Sequence, residues 1–277
     1  MTRPDTVERA LLLSVVIPIR NEEAILWQNA STLAEALNTI VGVGRWKFIL
    51  VDNASTDSTP AILKTIVDTW PPSFEVYAAR PNYGAALRAG LSKVNTPYAM
   101  VVDVEQSDEP FLAWAWRHRE DYDLFIGSRR ADPSLSVRPR YRWFLSWGLN
   151  ALLQLFFEFT GTETHGPKLI RMEHMSGLIA LCVSDRGQYD TEIVLRAIRA
   201  SRRVVEVPIS IAEHRKSRNL MVNKIVWNII AFNRLRRVLR DVPREVPVRY
   251  RRFTREDVLA VHDDLSVPSE GRRREIS

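Results

Sequence analysis

Apolar runs and helical patterns alternate along the first 110 residues of the chain. Residues 11–19 form a continuous apolar run, which is typical of a central strand buried on both faces. The next twenty residues place Ile25, Leu33 and Leu37 near helical spacing, which predicts an amphipathic helix. Further strands are predicted for WKFILVD, FEVYAAR and YAMVVDVE, with helices in PAILKTIVDTW and GAALRAGLSKV between them. This alternation predicts an α/β fold, with a mostly parallel sheet flanked by helices.

The pattern loosens beyond residue 110. YDLFIGSR and RRVVEVPISI predict two more strands, and residues 142–161 and 223–240 predict two long helices with apolar faces. We therefore expect the α/β domain to occupy residues 1–218. Residues 219–277 are predicted to form a basic amphipathic helix and an arginine-rich tail, whose end we expect to be flexible.

Polar side chains gather where the predicted strands end. Asn21-Glu22-Glu23, Asp52-Asn53 and Asp103-Val104-Glu105 each follow an apolar strand. The carboxyl ends of parallel strands meet at one edge of a sheet, where α/β proteins bind their ligands. These three segments therefore predict a binding site at that edge.

One strand end is unusually acidic. Four carboxylates, Asp103, Glu105, Asp108 and Glu109, follow the strand that ends near Val102. Neighbouring carboxylates repel one another unless a cation or a basic partner lies among them. This cluster indicates a metal site.

Composition and charge narrow the class of protein. Of the 277 residues, 45% are hydrophobic and 26% are charged, as in ordinary globular proteins. The net charge is +6, and arginines crowd between Arg234 and Arg255 and again in GRRREIS. Such a segment suits an anionic surface, either phospholipid or nucleic acid. Because no nucleic-acid recognition motif accompanies it, we expect a membrane surface and no nucleic acid.

Cysteine content and the N-terminal segment point to the cytoplasm. The single cysteine, Cys182, excludes an internal disulfide and a cysteine-based zinc site, and fits a reducing compartment. The apolar run near the N-terminus contains Pro18 and turns polar too soon to span a bilayer, and we see no signal peptide in it. We therefore expect a cytoplasmic protein, peripheral on the cytoplasmic face of the membrane.

Seven segments together resemble a known family. They are, in order, VVIPIRNEE, ILVDNASTDST, RPNYGAALRAGL, VVDVEQSDEP, FIGSRR, GPKLIR and YDTEIVLRA. This ordered set resembles glycosyltransferase family 2, which has the GT-A fold. Within the family it is most similar to the dolichyl-phosphate mannose and glucose synthases and their bacterial polyprenyl-phosphate relatives. The similarity runs from about residue 12 to about residue 218.

The resemblance implies a site for a nucleoside diphosphate sugar and a metal ion. The implied sugar-donor residues are Pro18, Arg20, Glu22, Asp52, Asn82, Gly84 and Asp103. Asp103-Val104-Glu105 occupies the position of the family's Asp-x-Asp, so Asp103 and Glu105 would hold Mg²⁺ or Mn²⁺ against the diphosphate. Taken alone, Arg20 and Glu22 could simply cap the next helix, and Asp52 could belong to an ordinary turn with an N-cap. Asn82 and Gly84 could belong to a loop that needs the conformational freedom of glycine. Glu105 departs from the usual aspartate and lengthens the reach, while Asp108 is either a substitute ligand or a solvated loop carboxylate.

The resemblance also implies a site for the acceptor phosphate. The residues that match it are Ser128, Arg129, Arg142, Ser146, Arg215 and Arg218. An arginine suits a phosphate because it offers charge and paired hydrogen bonds, although each could also be a solvated surface residue. The implied catalytic residues are Asp103, Glu105, Arg129 and Glu192. Glu192 and Asp190 could orient sugar hydroxyls or supply a general base, or Glu192 could only favour a helix N-terminus.

These observations predict a metal-dependent inverting transferase that moves a hexose from a nucleoside diphosphate sugar to a polyprenyl phosphate. The helices at 143–159 and 223–240 would dock on the bilayer, or would instead pack against the sheet or form a dimer. Two alternatives are a soluble transferase acting on a hydroxyl and a noncatalytic nucleotide-sugar or lipid-binding protein. The sequence leaves open the sugar, the nucleotide (UDP or GDP) and the oligomeric state, a homo-oligomer included.

Overall fold

The fold is one mixed sheet with helices on both faces. The computed structural model describes residues 10–78, 80–105, 108–131, 157, 159, 161–185, 187–210, 233–239 and 251–266. Its strands are β1 (Leu13–Ile19), β2 (Trp46–Asp52), β3 (Phe74–Tyr77), β4 (Tyr98–Val101), β5 (Leu124–Ser128), β6 (Lys168–Arg171), β7 (Val204–Pro208) and β8 (Arg251–Arg252). Its helices are α1 (Leu26–Ile40), α2 (Thr59–Thr69), α3 (Tyr83–Leu91), α4 (Glu109–Arg117), α5 (Met172–Ala180), α6 (Gln188–Arg199) and α7 (Arg255–Ser266). A further helical segment covers 233–238.

The strand order places the carboxyl ends of β1, β2 and β4 side by side. The order across the sheet is β3-β2-β1-β4-β6-β5-β7-β8. All neighbouring pairs are parallel except those of β6, which runs antiparallel to both β4 and β5. The predicted α/β fold with a mostly parallel sheet is confirmed. Because β6 runs backwards, its first residue, Lys168, pairs with Val101 at the end of β4. The reversal thus brings a lysine to the edge where the acidic segment begins.

Alternate side chains of the central strand enter two separate cores. In β1, Val15 and Ile17 belong to one cluster of buried residues, and Val16 belongs to the other. The first cluster includes side chains of α1, α2, α4 and α7, and the second includes side chains of α3, α5 and α6. All seven residues of β1 are buried, as its continuous apolar run predicts.

The described C-terminal residues belong to the same fold. Strand β8 pairs with β7, and Val258 of α7 is fully buried in the first cluster. A guanidinium nitrogen of Arg255 lies 3.0 Å from Asp108 Oδ1 and donates to the carbonyl of Pro208. Residues 251–266, which the sequence assigned to a C-terminal extension, therefore extend the sheet and cover α4. The predicted boundary at 218 lies outside the described residues.

Most of the two predicted long helices, at 142–161 and 223–240, lies outside the described residues. Four apolar side chains of the described parts are buried in the second cluster: Phe157, Phe159, Leu235 and Leu239. None of the helices in the described part of the chain has the length and apolar character needed to cross a bilayer.

Candidate active site

Two turns at the carboxyl edge hold each other in place. Asn21, at φ 56°, follows β1, and its side-chain oxygen accepts a hydrogen bond from the amide of Thr56 at 2.8 Å. Its own amide donates to Ser55 Oγ at 3.1 Å. The amide of Ser55 in turn donates to Asp52 Oδ1 at 2.9 Å. Asn21 and Asp52 therefore shape a rigid pair of turns at the ends of β1 and β2.

The predicted sugar-donor residues around these turns differ in exposure. Pro18 is buried inside β1 opposite Val51 of β2, so its role is in the packing of the sheet. Arg20 is exposed and Glu22 is half-buried just beyond the strand. Arg20 and Glu22 are thus within the edge that a nucleotide would approach.

The N-terminus of α3 lies at the same edge. Asn53, directly after β2, accepts a hydrogen bond from the amide of Asn82 at 2.8 Å. The Asn82 side chain caps α3 by accepting from the amide of Ala85 at 3.2 Å. Gly84 is buried in the first turn of this helix. Asn82 and Gly84 thus belong to the start of a helix and not to a loop, and the Asn82 cap fixes the helix end beside the strand ends.

Asp103 is half-buried and belongs to a small network of polar side chains. Two residues beyond β4, its Oδ1 accepts a hydrogen bond from the Tyr83 hydroxyl at 3.1 Å. Close by, Lys168 Nζ lies 2.8 Å from Asp190 Oδ1, and both of these side chains are almost fully buried. Lys168 also donates to the carbonyl of Gly166 at 2.9 Å. Strands β4 and β6 and helices α3 and α6 thus meet at this point.

The surroundings of Asp103 disfavour its ionised form. Burial and the charge of Asp190 raise the pKa of Asp103 to about 6, although the Tyr83 hydroxyl, Lys168 and Arg129 act in the opposite direction. Burial, followed by the charges of Asp190 and Asp103, raises the pKa of Tyr83 well above its ordinary value. A cation placed at Asp103 would favour its ionised form.

The carboxylates after β4 divide into two groups. Glu105 is exposed two residues beyond Asp103, on the same turn. Asp108 is instead buried, where it caps α4 through the amide of Phe111 at 2.8 Å and pairs with Arg255. Its Oδ2 accepts from the amide of Ser210 at 2.8 Å. Asp108 is therefore neither a substitute metal ligand nor a solvated carboxylate.

The remaining carboxylates suit a metal ion that is shared with a substrate. In the described part of the chain, no group of three or more His, Cys, Asp and Glu side chains could hold an ion alone. Mg²⁺ commonly binds through one or two carboxylates together with phosphate oxygens of the substrate and water. Asp103 and Glu105 fit that mode of binding.

Ser128 shapes the turn that carries Arg129. Its buried hydroxyl accepts hydrogen bonds from the amides of Arg130 and Ala131 at 3.1 and 3.0 Å, and lies 2.7 Å from Thr162 Oγ1. Thr162 is held in turn by the fully buried Glu206, which accepts from its amide at 2.6 Å. The positive charge of the Arg129 guanidinium acts to lower the pKa of Asp103, so this side chain lies near Asp103. Arg142, Ser146, Arg215 and Arg218 lie outside the described residues.

Glu192 lies in a different environment from the other predicted catalytic residues. It is fully buried, and its Oε2 accepts from the amides of Val183 and Ser184 at 3.0 and 2.7 Å. Its Oε1 lies 2.8 Å from Arg196. Since both oxygens are engaged within the protein, these contacts give Glu192 a structural position and do not bring it to Asp103.

Sequence reasoning assigned no role to Lys168 or Glu206. The signal available for Glu206 was an acidic residue inside the apolar run RRVVEVPISI, which indicates a buried carboxylate with bonded partners. Lys168 gave a similar signal as a charged residue at the start of the apolar segment KLIR. Neither signal names the partner, because the partners are distant in sequence.

Comparisons with known proteins identify the family of this chain. The family model for glycosyl transferase family 2 matches residues 14–174. An uncharacterized glycosyltransferase of Mycobacterium tuberculosis is 27% identical over 231 residues, covering 79% of this chain and 94% of that protein. The dolichyl-phosphate beta-glucosyltransferase of Saccharomyces cerevisiae is 25% identical over 226 residues, covering 73% of this chain and 67% of that protein.

A solved structure shares the fold. Glucosyl-3-phosphoglycerate synthase from Mycobacterium tuberculosis, in complex with Mn²⁺, uridine diphosphate and phosphoglyceric acid, aligns with a TM-score of 0.57 and 16% identity. The alignment covers 86% of this chain and 88% of that chain. Since the family match extends over more than half of the chain and the fold is the predicted GT-A fold, the protein belongs to glycosyl transferase family 2.

Proposed function

We propose that this glycosyltransferase moves a hexose from a nucleoside diphosphate sugar to a polyprenyl phosphate, with inversion, and that it requires Mg²⁺ or Mn²⁺. One observation carries the proposal: Asp103 and Glu105, which follow β4, and Arg129, which follows β5, lie at the same carboxyl edge of the sheet. An acidic position suits a cation and the diphosphate that accompanies it, and a neighbouring arginine suits a second phosphate.

The sugar-donor site would be formed by the turns after β1, β2 and β4. Asp103 and Glu105 would hold the metal ion, which when bound neutralises charge on the departing diphosphate. Arg20, Glu22 and Asp52 flank the place where the nucleoside would lie, and the paired turns keep this edge rigid before the substrate binds. The N-terminus of α3 adds a favourable dipole for an anionic group.

The partners of the nearby carboxylates favour an acceptor that is already ionised. Asp190 is paired with Lys168, and Glu192 is paired with Arg196, so neither is well suited to remove a proton from a hydroxyl. A phosphate monoester carries negative charge at neutral pH and needs no base to become a nucleophile. Arg129 would attract this phosphate and orient one oxygen towards the sugar. The relative that acts on dolichyl phosphate, by its name, supports the same class of acceptor.

The proposal is tested with a panel of UDP and GDP hexoses and a short polyprenyl phosphate, with the products identified by mass. We expect one donor to give a hexosyl phosphate lipid and the free nucleoside diphosphate, and NMR of the product to show inversion at the anomeric carbon. The matched acceptor is the same polyprenol without its phosphate, which should not react. Transfer to the unphosphorylated alcohol or to a soluble sugar would instead support the hydroxyl-acceptor alternative. Failure of every donor and acceptor pair would support the noncatalytic alternative.

A further inference from the structure

We propose that Tyr83 is a positioning residue for Asp103, and that the buried ion pair of Lys168 and Asp190 keeps the Tyr83 hydroxyl directed at Asp103. This inference rests on the proposed role of Asp103 in metal binding. It adds three side chains that support the metal ligand without touching the metal.

The Tyr83 hydroxyl has more acceptors nearby than it has hydrogens to donate. A phenol has a single hydrogen to donate. The Tyr83 hydroxyl lies close to both Asp103 and Asp190, but its hydrogen bond is made to Asp103 Oδ1, at 3.1 Å. Asp190 Oδ2 is buried and makes no hydrogen bond with a described residue. Asp190 is therefore a competing acceptor, and Asp103 makes the better hydrogen bond with Tyr83.

Lys168 explains why Asp190 does not compete successfully. The lysine is almost fully buried, its ammonium lies 2.8 Å from Asp190 Oδ1, and it is anchored by the carbonyl of Gly166. This contact balances the charge of Asp190 and holds its carboxylate in one orientation. Without the ammonium, an uncompensated buried charge would attract the Tyr83 hydroxyl and repel Asp103. Lys168 thus allows two carboxylates to lie close together while Asp103 remains the preferred acceptor of the tyrosine hydroxyl.

The same contacts tie Asp103 to fixed parts of the fold. Asp103 lies in the turn after β4, beyond the last paired residue of that strand, Val101. Tyr83 begins α3 directly after Asn82, whose amide is held by Asn53. A hydrogen bond from such an anchored group fixes the orientation of a ligand carboxylate, and outer partners of this kind are commonly worth about 10- to 100-fold in metal affinity.

The first test removes only the hydroxyl, with the variant Tyr83→Phe. We expect the affinity for Mn²⁺ to fall about 10-fold, measured by electron paramagnetic resonance titration in the presence of the nucleoside diphosphate. The affinity for the nucleoside diphosphate without metal, measured by calorimetry, should be unchanged. The matched control is Tyr98→Phe, which removes a buried phenol hydroxyl at the opposite end of β4. An unchanged Mn²⁺ affinity in folded Tyr83→Phe would overturn the inference.

The second test separates charge balance from direct contact with substrate. Lys168→Met leaves Asp190 as an unpaired buried charge and is expected to lower both stability and Mn²⁺ affinity. The double variant Lys168→Met/Asp190→Asn removes both charges, and we expect its Mn²⁺ affinity to return to within about threefold of wild type. A folded double variant that binds Mn²⁺ as poorly as Lys168→Met would contradict the proposed role. Lys47→Met is the matched control, since Lys47 is also buried but binds Asn95 near the start of β2.

Asp103→Asn in the same titration distinguishes failure of this inference from failure of the proposed function. If Asp103→Asn loses Mn²⁺ binding and Tyr83→Phe keeps it, the metal site stands and the positioning role is wrong. If Asp103→Asn itself binds Mn²⁺ like the wild type, the metal site is wrong and the positioning role fails with it.

Discussion

At the scale of single residues, carboxylates that look alike in the sequence have different partners in the fold. Asp103 accepts one hydrogen bond from a tyrosine, Asp190 is paired with a lysine, and Glu192 is enclosed by an arginine and two amides. The position of Asp103 could be predicted because it directly follows an apolar strand. The pairing of Asp190 could not, because the antiparallel strand β6 and the helix α6 bring its partner from another part of the chain.

Glu192→Gln tests whether this residue is structural or catalytic. Loss of the carboxylate leaves Arg196 as a buried charge without its partner, so we expect the free energy of unfolding to fall by about 3 kcal/mol. Turnover of the protein that remains folded should change little. Denaturant unfolding and steady-state kinetics measure the two effects. A large loss of turnover with unchanged stability would favour the predicted catalytic role.

Arg129→Ala tests the assignment of the acceptor phosphate. We expect KM for the phosphorylated acceptor to rise about 10-fold, because one charge-assisted contact is lost. Calorimetry should find the nucleotide affinity nearly unchanged. Equal losses in both measurements would assign Arg129 to the sugar-donor side, and no loss in either would mean that it is a surface arginine.

At the scale of elements, continuous apolar runs predicted the central strands well. The elements that lie in short or basic segments were not predicted. Strand β6 has only four residues and pairs antiparallel, so neither a long apolar run nor the α/β alternation predicted it. Helix α7 lies in a basic part of the chain, and its contribution to the core comes from residues such as Val258. The roles of these elements depend on tertiary pairing, which a local pattern does not contain.

Asp123 joins three elements and gives a prediction about pH. It precedes β5, accepts from the amide of Arg203 before β7 at 2.8 Å, and lies 2.6 Å from His174 in α5. Burial opposes ionisation, but the hydrogen bonds from Arg203 and His174 prevail and lower the pKa of Asp123 to about 2. Since this value is below that of the unfolded chain, the stabilisation is full above about pH 4 and is lost as the pH falls towards 2.

Asp123→Asn should therefore lower the free energy of unfolding by about 1–2 kcal/mol at pH 7, a figure reduced for the exposure of Arg203. Its stability should also depend less on pH between about 4 and 2 than that of the wild type. Denaturant unfolding at several pH values measures both effects. Asp121→Asn is the control, because Asp121 is exposed and pairs with His118 at the surface. Parallel pH curves for wild type and Asp123→Asn would contradict the assignment.

At the scale of the whole molecule, we propose that the described surface near the C-terminus attaches to an anionic membrane by charge, although Arg234 also pairs with Asp185 at 3.3 Å. In the helical segment at 233–238, Arg234, Arg236 and Arg237 are exposed, while Leu235 is buried in the core together with Leu239. The apolar stripe predicted for membrane insertion is therefore used for packing in this segment. The arginines remain on the surface, where each contributes about 1 kcal/mol near an anionic leaflet.

Sedimentation with liposomes tests this attachment. We expect the protein to bind liposomes that contain anionic lipid, to bind less at high salt, and to remain in solution with zwitterionic liposomes. Replacing Arg234, Arg236, Arg237 and Arg240 with Gln should reduce the bound fraction. A protein that stays in the supernatant under all conditions would favour the soluble-acceptor alternative.

The most direct measurement of the central claim is the metal dependence of hexosyl transfer in wild type and Asp103→Asn. The wild type should lose turnover when a chelator is added and regain it with Mg²⁺ or Mn²⁺. Asp103→Asn should keep its circular dichroism spectrum and lose turnover by at least about 100-fold, since a bound metal supplies several kcal/mol to the reaction. Glu105→Asp, the matched control, should retain turnover. Near wild-type turnover by Asp103→Asn with the metal chelated would contradict the account.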